Sequence, residues 1–220
     1  MKILSKCLYP KSISPYQTSD GVEKESGFFG RIEIVRDIKQ KSNINYMIVG
    51  GRQLGKTSIL KKLERGYKNR TDIECHFISM ETLKGDIILA IAQALKMADD
   101  STLADVVDRV YHSDKKMIFL IDEVDEFIEP EIKRDYEVTK AFRRLSQEGK
   151  ATFILAGYWT LYSYVTADYQ SPLYNFGKLV ILEGLEQEAC KSLMVEPMEK
   201  IGISYENDGF PTSAHNPKKE

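Results

Sequence analysis

Short, unbroken apolar runs alternate through the middle of this chain with stretches whose apolar positions recur at helical spacing. Tyr46–Val49, Cys75–Ser79, Met117–Ile121, Thr152–Ala156 and Leu179–Leu182 read as strands. Met117–Ile121 is apolar throughout, the pattern of a parallel strand covered on both faces. Between the strands, Ile32, Ile34, Val35 and Ile38 space out a short helix, and Ile59, Leu60, Leu63 and Tyr67 a second. Further helices are expected from Ile87 to Leu95, from Leu103 to Tyr111, and through Val138, Ala141, Phe142 and Leu145. Residues 157–177 suit a loop with short helices, and Ala189, Cys190, Leu193, Met194 and Ile201 a helix interrupted near Pro197. Alternating strands and helices of this kind predict an α/β fold: a five-stranded parallel sheet flanked by helices.

The same pattern sets the expected organisation. Residues 1–27, rich in Ser, Tyr, Pro and Lys, read as an extended arm, and 28–183 as the α/β core. Residues 184–205 read as the start of a small helical unit, and 206–220 as a disordered tail of turn formers with little to bury.

Composition narrows the class. Three scattered cysteines and three dispersed histidines (His76, His112, His215) suggest neither a disulfide framework nor a metal knuckle. The N-terminal apolar stretch is cut by Lys6 and Pro10, and no apolar run is long enough to span a bilayer, so a cytoplasmic chain without a membrane role is expected. A net charge of −2 hides an asymmetry. Residues 1–70 hold 15 Lys/Arg against 6 Asp/Glu, and residues 71–140 hold 8 against 17. Lys61, Lys62, Arg65, Lys68 and Arg70 carry part of the basic excess, either as a nucleic-acid footprint or as the solvated face of an amphipathic helix.

The sharpest chemical signal is Gly50-Gly51-Arg52-Gln53-Leu54-Gly55-Lys56-Thr57-Ser58, lying between a strand and a helix. This is a phosphate-binding loop (P-loop). Glycine is expected at 50 and 55 because inward-turned amides require positive φ and leave no room for Cβ. Lys56 would reach the β- and γ-phosphates of ATP, Thr57 would place its hydroxyl on Mg2+, and the helix dipole would add to the anion site. Asp122-Glu123 closes a buried strand, where ligands gather in such sheets. Asp122 would hold Mg2+ through water, and Glu123 would orient and polarise the attacking water. Asp125 and Glu126 read as solvated.

Phe28-Phe29-Gly30-Arg31, the glycine loop, Phe119–Glu126 and Phe153–Gly157 together resemble the AAA+/STAND class of P-loop ATPases, in the branch of archaeal-type and origin-recognition ATPases. The resemblance spans about residues 15–205. It implies that Phe29, Gly30 and Arg31 contact the base or ribose, and that Gly184–Ala189 begins a helical lid. It also implies a polar sensor at the end of the fourth strand, where this chain has Ala156-Gly157-Tyr158 and only Thr160 nearby. A longer lid is usual in the class, so the C-terminus reads as truncated or altered. Adenylate and nucleoside kinases share the loop but lack the acidic pair and the Phe-x-Gly-Arg box.

The leading expectation is an ATP-binding, slowly hydrolysing switch module using Mg-ATP, with a nucleotide-dependent homo-oligomer as a possible product. The alternatives are a nucleic-acid-associated loader or transposition ATPase, and a catalytically weak ATP-binding scaffold. Of Arg143 and Arg144, beside the core-facing Phe142, one is free to reach the γ-phosphate in a neighbouring subunit or is simply solvated.

Overall fold

The computed structural model describes residues 22, 27–81 and 85–200. Nearly all of the expected arm and the whole of the expected tail lie outside the described residues, as do residues 201–205.

The five strands are β1 (Tyr46–Gly50), β2 (Ile73–Ser79), β3 (Lys116–Asp122), β4 (Ala151–Gly157) and β5 (Lys178–Leu182). They form one parallel sheet in the order β2-β3-β4-β1-β5. Strand β4 thus inserts between the strand leading into the glycine loop and the strand ending in the acidic pair. Register aligns Val49 with Gly157 and Ile121 with Leu155, so the carboxyl ends of β1, β3 and β4 finish at one level.

The apolar runs divide by parity, because successive side chains of a strand point to opposite faces. Tyr46, Ile48, Ile118, Leu120, Ile154 and Ala156 face one layer, formed by α1 (Ile32–Gln40) and α2 (Lys56–Tyr67). Met47, Val49, Met117, Phe119, Ile121, Phe153 and Leu155 face the other. That layer holds α3 (Ile87–Ala94), α4 (Leu103–Tyr111), α5 (Asp125–Lys133), α6 (Glu137–Gln147) and α7 (Trp159–Thr166). Phe153 anchors it, stacking on Phe142 with ring centres 4.3 Å apart and on Phe119 at 5.4 Å.

Local chemistry sets the helix starts. Thr102 and Asp105 form a capping box on α4, and the Asp86 carboxylate accepts from the Leu89 amide on α3. The start of α6 is capped from a distance: Glu131 is buried, and its Oε2 accepts the amides of Val138 at 2.9 Å and Thr139 at 3.0 Å.

One unassigned segment gains a helix, and two local expectations are corrected. The acidic run after β3, to which the sequence assigned no element, opens a helix, α5, with Pro130 inside it and Phe127, Ile128 and Glu131 buried. Helix α8 (Gln187–Glu199) is not interrupted near Pro197 but continues through it, ending shortly after at Glu199. Asp125 is not solvated: its carboxylate accepts the Tyr158 amide at 2.6 Å and the Leu161 amide at 3.1 Å, capping α7. Gly157 makes room for it, since a Cβ there would sit 2.3 Å from Asp125 Oδ2.

Candidate functional site

The glycine loop joins β1 to α2 at the aligned carboxyl ends of the strands. Its two key glycines have different reasons. Gly55 takes φ 89°, the left-handed conformation glycine adopts without penalty, yet a Cβ there would meet open space. Gly50 is not left-handed; a Cβ would press within 2.9 Å of Leu182 on β5. The expectation that both positions need both properties is therefore corrected: one glycine serves the turn and the other the packing of the edge strand. Gln53 also takes a positive φ, 60°. Helix α2 begins at Gly55 with no side-chain cap and no acidic residue in its first turn, so its first amides remain available to an anion.

Lys56 is 5% exposed. Its Nζ donates to the carbonyls of Gly50 and Gly51, both at 2.9 Å, and lies 3.7 Å from the centre of the Tyr158 ring. Burial lowers its pKa, opposed by the charges of Glu123, Asp122 and Asp125. Thr57, the residue after Lys56, lies beside Asp122 and helps to hold its pKa down. Asp122 is buried, and its Oδ1 accepts the Glu123 amide at 3.0 Å. Burial raises the pKa of Asp122 against the help of Thr57, the Glu123 amide and Lys56. Glu123 sits at φ 55°, a conformation that strains a residue with a side chain. Its pKa is raised too, by burial first and then by the neighbouring Asp122 charge. Two carboxyls and one ammonium thus share a half-dry corner at the ends of β1 and β3.

Tyr158 is the residue that sequence reasoning missed. Its ring covers Lys56 and its hydroxyl donates to Glu123 Oε1 at 3.3 Å. Thr160 lies instead on α7, where it lines a shallow groove with Trp159 and Ile132. The polar group after β4 that reaches the loop is the tyrosine.

The Phe-x-Gly-Arg segment lies on the other side of the loop. Phe28, Phe29, Arg31, Gln53, Leu54, Gly55 and Ser58 line a cavity of about 290 Å³, closed by Leu185, Cys190 and Leu193. Gly30, at φ 67°, is pressed against the start of α8: a Cβ would stand 2.4 Å from Glu186 Oε2 and 2.8 Å from Ala189. Arg31 is buried; its Nη2 donates to the Glu183 carbonyl, and its Nη1 is 3.9 Å from Glu186. Its Nε is buried without a partner. Arg31 therefore ties the box to the segment entering α8 and also lines the cavity. Gly51 and Arg52 are on the exposed rim of the loop, and Ser58 Oγ accepts the Val22 amide at 3.1 Å.

The two arginines of α6 separate. Arg143 donates to the carbonyls of Pro172 at 2.6 Å and Tyr174 at 2.9 Å, which commits it to the segment before β5. Arg144 is exposed, 5.8 Å over the Tyr111 ring. His76 stacks on Phe119 and pairs with Glu74. No cluster of metal-ligating His, Cys, Asp and Glu side chains occurs among the described residues. No helix among them is long and apolar enough to cross a membrane.

This chain is similar in fold to several replication and Walker-type ATPases. A Walker-type ATPase of Pyrococcus abyssi aligns at TM-score 0.61 and 15% identity, over 88% of this chain and 64% of its own. The Orc1 protein of Aeropyrum pernix in complex with DNA aligns at TM-score 0.61 and 14% identity, over 79% and 50%. AMPPCP-bound DnaA from Aquifex aeolicus aligns at TM-score 0.55 and 20% identity, over 80% and 52%. The chain thus spans between half and two thirds of these structures. The fold is that of the origin-recognition-like AAA+ P-loop ATPases. A search of curated proteins finds no match. The family model for the bacterial TniB protein matches residues 30–172, and the chain belongs to that family.

Proposed function

We propose, from membership of the bacterial TniB family as premise, that this chain is a Mg-ATP-binding AAA+ module that hydrolyses ATP slowly and changes conformation or assembly with its nucleotide state. The observation that carries this is the meeting of the buried loop lysine Lys56 with the buried Asp122 and with Glu123 in one corner, where their charges act on one another. The same corner leaves Thr57, the residue after the loop lysine, beside the carboxylate that ends β3, whose pKa it helps to hold down. A hydroxyl beside a buried carboxylate is an oxygen pair suited to Mg2+, whose charge would favour ionised Asp122. Bound there, the ion would neutralise phosphate charge. The uncapped start of α2 and Lys56 fit a triphosphate, and the apolar cavity with its orphaned Arg31 Nε fits a nucleobase and ribose. Phe29, Gly30, Arg31 and the loop residues 50–58 are the proposed nucleotide contacts.

Glu123 is the proposed base. Its hydrogen bond from Tyr158 orients the carboxylate, and ionised it can accept a proton from water. Residues 28–183 act as the core and 184–205 as the start of the lid, with α8 closing the cavity. The test is calorimetric titration with Mg-ATP, followed by phosphate release. Failure of the parent chain to bind would sink the reading.

A second reading, a transposition-type ATPase acting with nucleic acid, is favoured by the TniB family itself, which is transposition-ATPase-like, and by the DNA-bound Orc1 neighbour. The basic residues on and just after α2 support it less: Arg70 pairs with Asp72, Arg65 donates to the Val22 carbonyl, and Lys62 lies over Phe28. Sedimentation with nucleotide, with and without DNA at two salt concentrations, separates the readings, because phosphate contacts weaken steeply with salt.

A further inference from the structure

Tyr158 touches three parts of the site at once. Its ring takes one face of the Lys56 ammonium, its hydroxyl holds Glu123, and its amide is held by Asp125, two residues beyond Glu123. It also immediately precedes α7, whose first residue, Trp159, is 78% exposed and is the only tryptophan in the chain. The same Asp125 carboxylate holds the Leu161 amide, so the turn carrying Glu123 and the first turn of α7 are pinned together. Gly157 permits that close approach.

These contacts compete with phosphate. A lysine ammonium that serves a triphosphate needs its donors for phosphate oxygens, whereas here it is shared between two carbonyls and an aromatic face. We infer that Tyr158 is a positioning residue that holds Lys56 and Glu123 in a resting arrangement, surrenders Lys56 when a nucleoside triphosphate binds, and carries the change into α7 and Trp159. The inference rests on the nucleotide reading above and adds to it a named coupling element. Because Asp125 links the Glu123 turn to α7, release of the ring changes the environments of Glu123 and Trp159 together.

The test uses the full chain, Mg2+ and AMPPCP. Affinity is read by calorimetry, and the Trp159 environment by its emission maximum and acrylamide quenching. The parent should bind and change its Trp159 emission at saturation. Tyr158→Ala, checked for parental circular dichroism, should bind as tightly or tighter by about two- to thirtyfold, the weight of a lost cation–π competitor. Its Trp159 response should fall below half of the parental one. Tyr158→Phe, which keeps the ring, should retain both affinity and response. Should Tyr158→Ala not fold, Tyr158→Leu keeps apolar bulk without a π face and is read the same way. Weaker binding by the ringless variant, or a Trp159 response that is silent in a binding parent or intact without the ring, overturns the latch alone. No binding by the parent overturns the nucleotide reading and the latch with it.

Discussion

The Nζ of Lys56 lies 3.7 Å from the centre of the Tyr158 ring, although the two residues belong to different strand ends. The contact exists because β4 is inserted beside β1, so the segment leaving β4 passes directly over the glycine loop. One aromatic residue thereby joins the loop lysine to the acidic turn after β3.

Lys56→Ala is expected to weaken ATP affinity by about a hundredfold or more, since it removes charge-assisted hydrogen bonds from a site with no other buried ammonium among the described residues. Calorimetry at constant Mg2+ checks this, and an unchanged affinity would remove the loop from the nucleotide site.

Glu123→Gln should keep ATP binding and lose turnover, because an amide keeps the shape but accepts no proton from water. Burial and Asp122 raise the Glu123 pKa, so the base is protonated more readily than an ordinary glutamate. Turnover should therefore fall on acidification beginning above the ordinary glutamate range. A pH–rate profile flat through that region argues for another base.

Glu131 offers a test of the fold that leaves the nucleotide site alone. Glu131→Ala strands two amides at the start of α6 and should cost about 1–3 kcal/mol in urea unfolding at pH 7. Glu131→Gln keeps an acceptor and should be nearly neutral. Burial raises the folded pKa of Glu131 above its ordinary 4.5. The protonated form is thus the one the fold favours: that contribution is full below the ordinary value and is lost as pH rises through the folded one. The stability difference between Glu131→Gln and the parent should shift in favour of the variant over that rise, and no such drift would show the carboxyl to be ordinary.

Arg143→Ala should destabilise the chain by about 1–2 kcal/mol by releasing the Pro172 and Tyr174 carbonyls. Arg144→Ala should leave the fold intact. If Arg144 serves a neighbouring subunit, its loss lowers turnover at least tenfold at unchanged ATP affinity, and adding Lys56→Ala chains restores it. Per-subunit turnover that is independent of concentration and insensitive to both substitutions eliminates that role.

Gly50→Ala and Gly55→Ala should fail differently. The first forces Leu182 and β5 aside and should appear as lost stability, whereas the second has room and should chiefly weaken ATP binding, through about 1 kcal/mol or more of strain in the loop. Equal losses of stability from both would contradict the division of roles.

The glycine loop, the acidic pair after β3 and the five strands were legible in the sequence because each is written in contiguous residues: a turn needs its glycines in place, and a doubly covered strand needs an unbroken apolar run. The parity of those runs even determined which residues face which layer. What only the tertiary structure decided was everything that depends on strand order. Placing β4 between β1 and β3 puts Tyr158 on Lys56 and gives Asp125 the amides of α7. Helix α5 was hidden because its internal proline reads as a helix breaker and its acidic start reads equally well as a surface run; its Phe127 and Ile128 become a buried face only against the layer beyond β3. Local spacing encodes which groups the chain possesses, but contacts between groups remote in sequence arise from the packing of the sheet, and that is where the chemistry of this site was assembled.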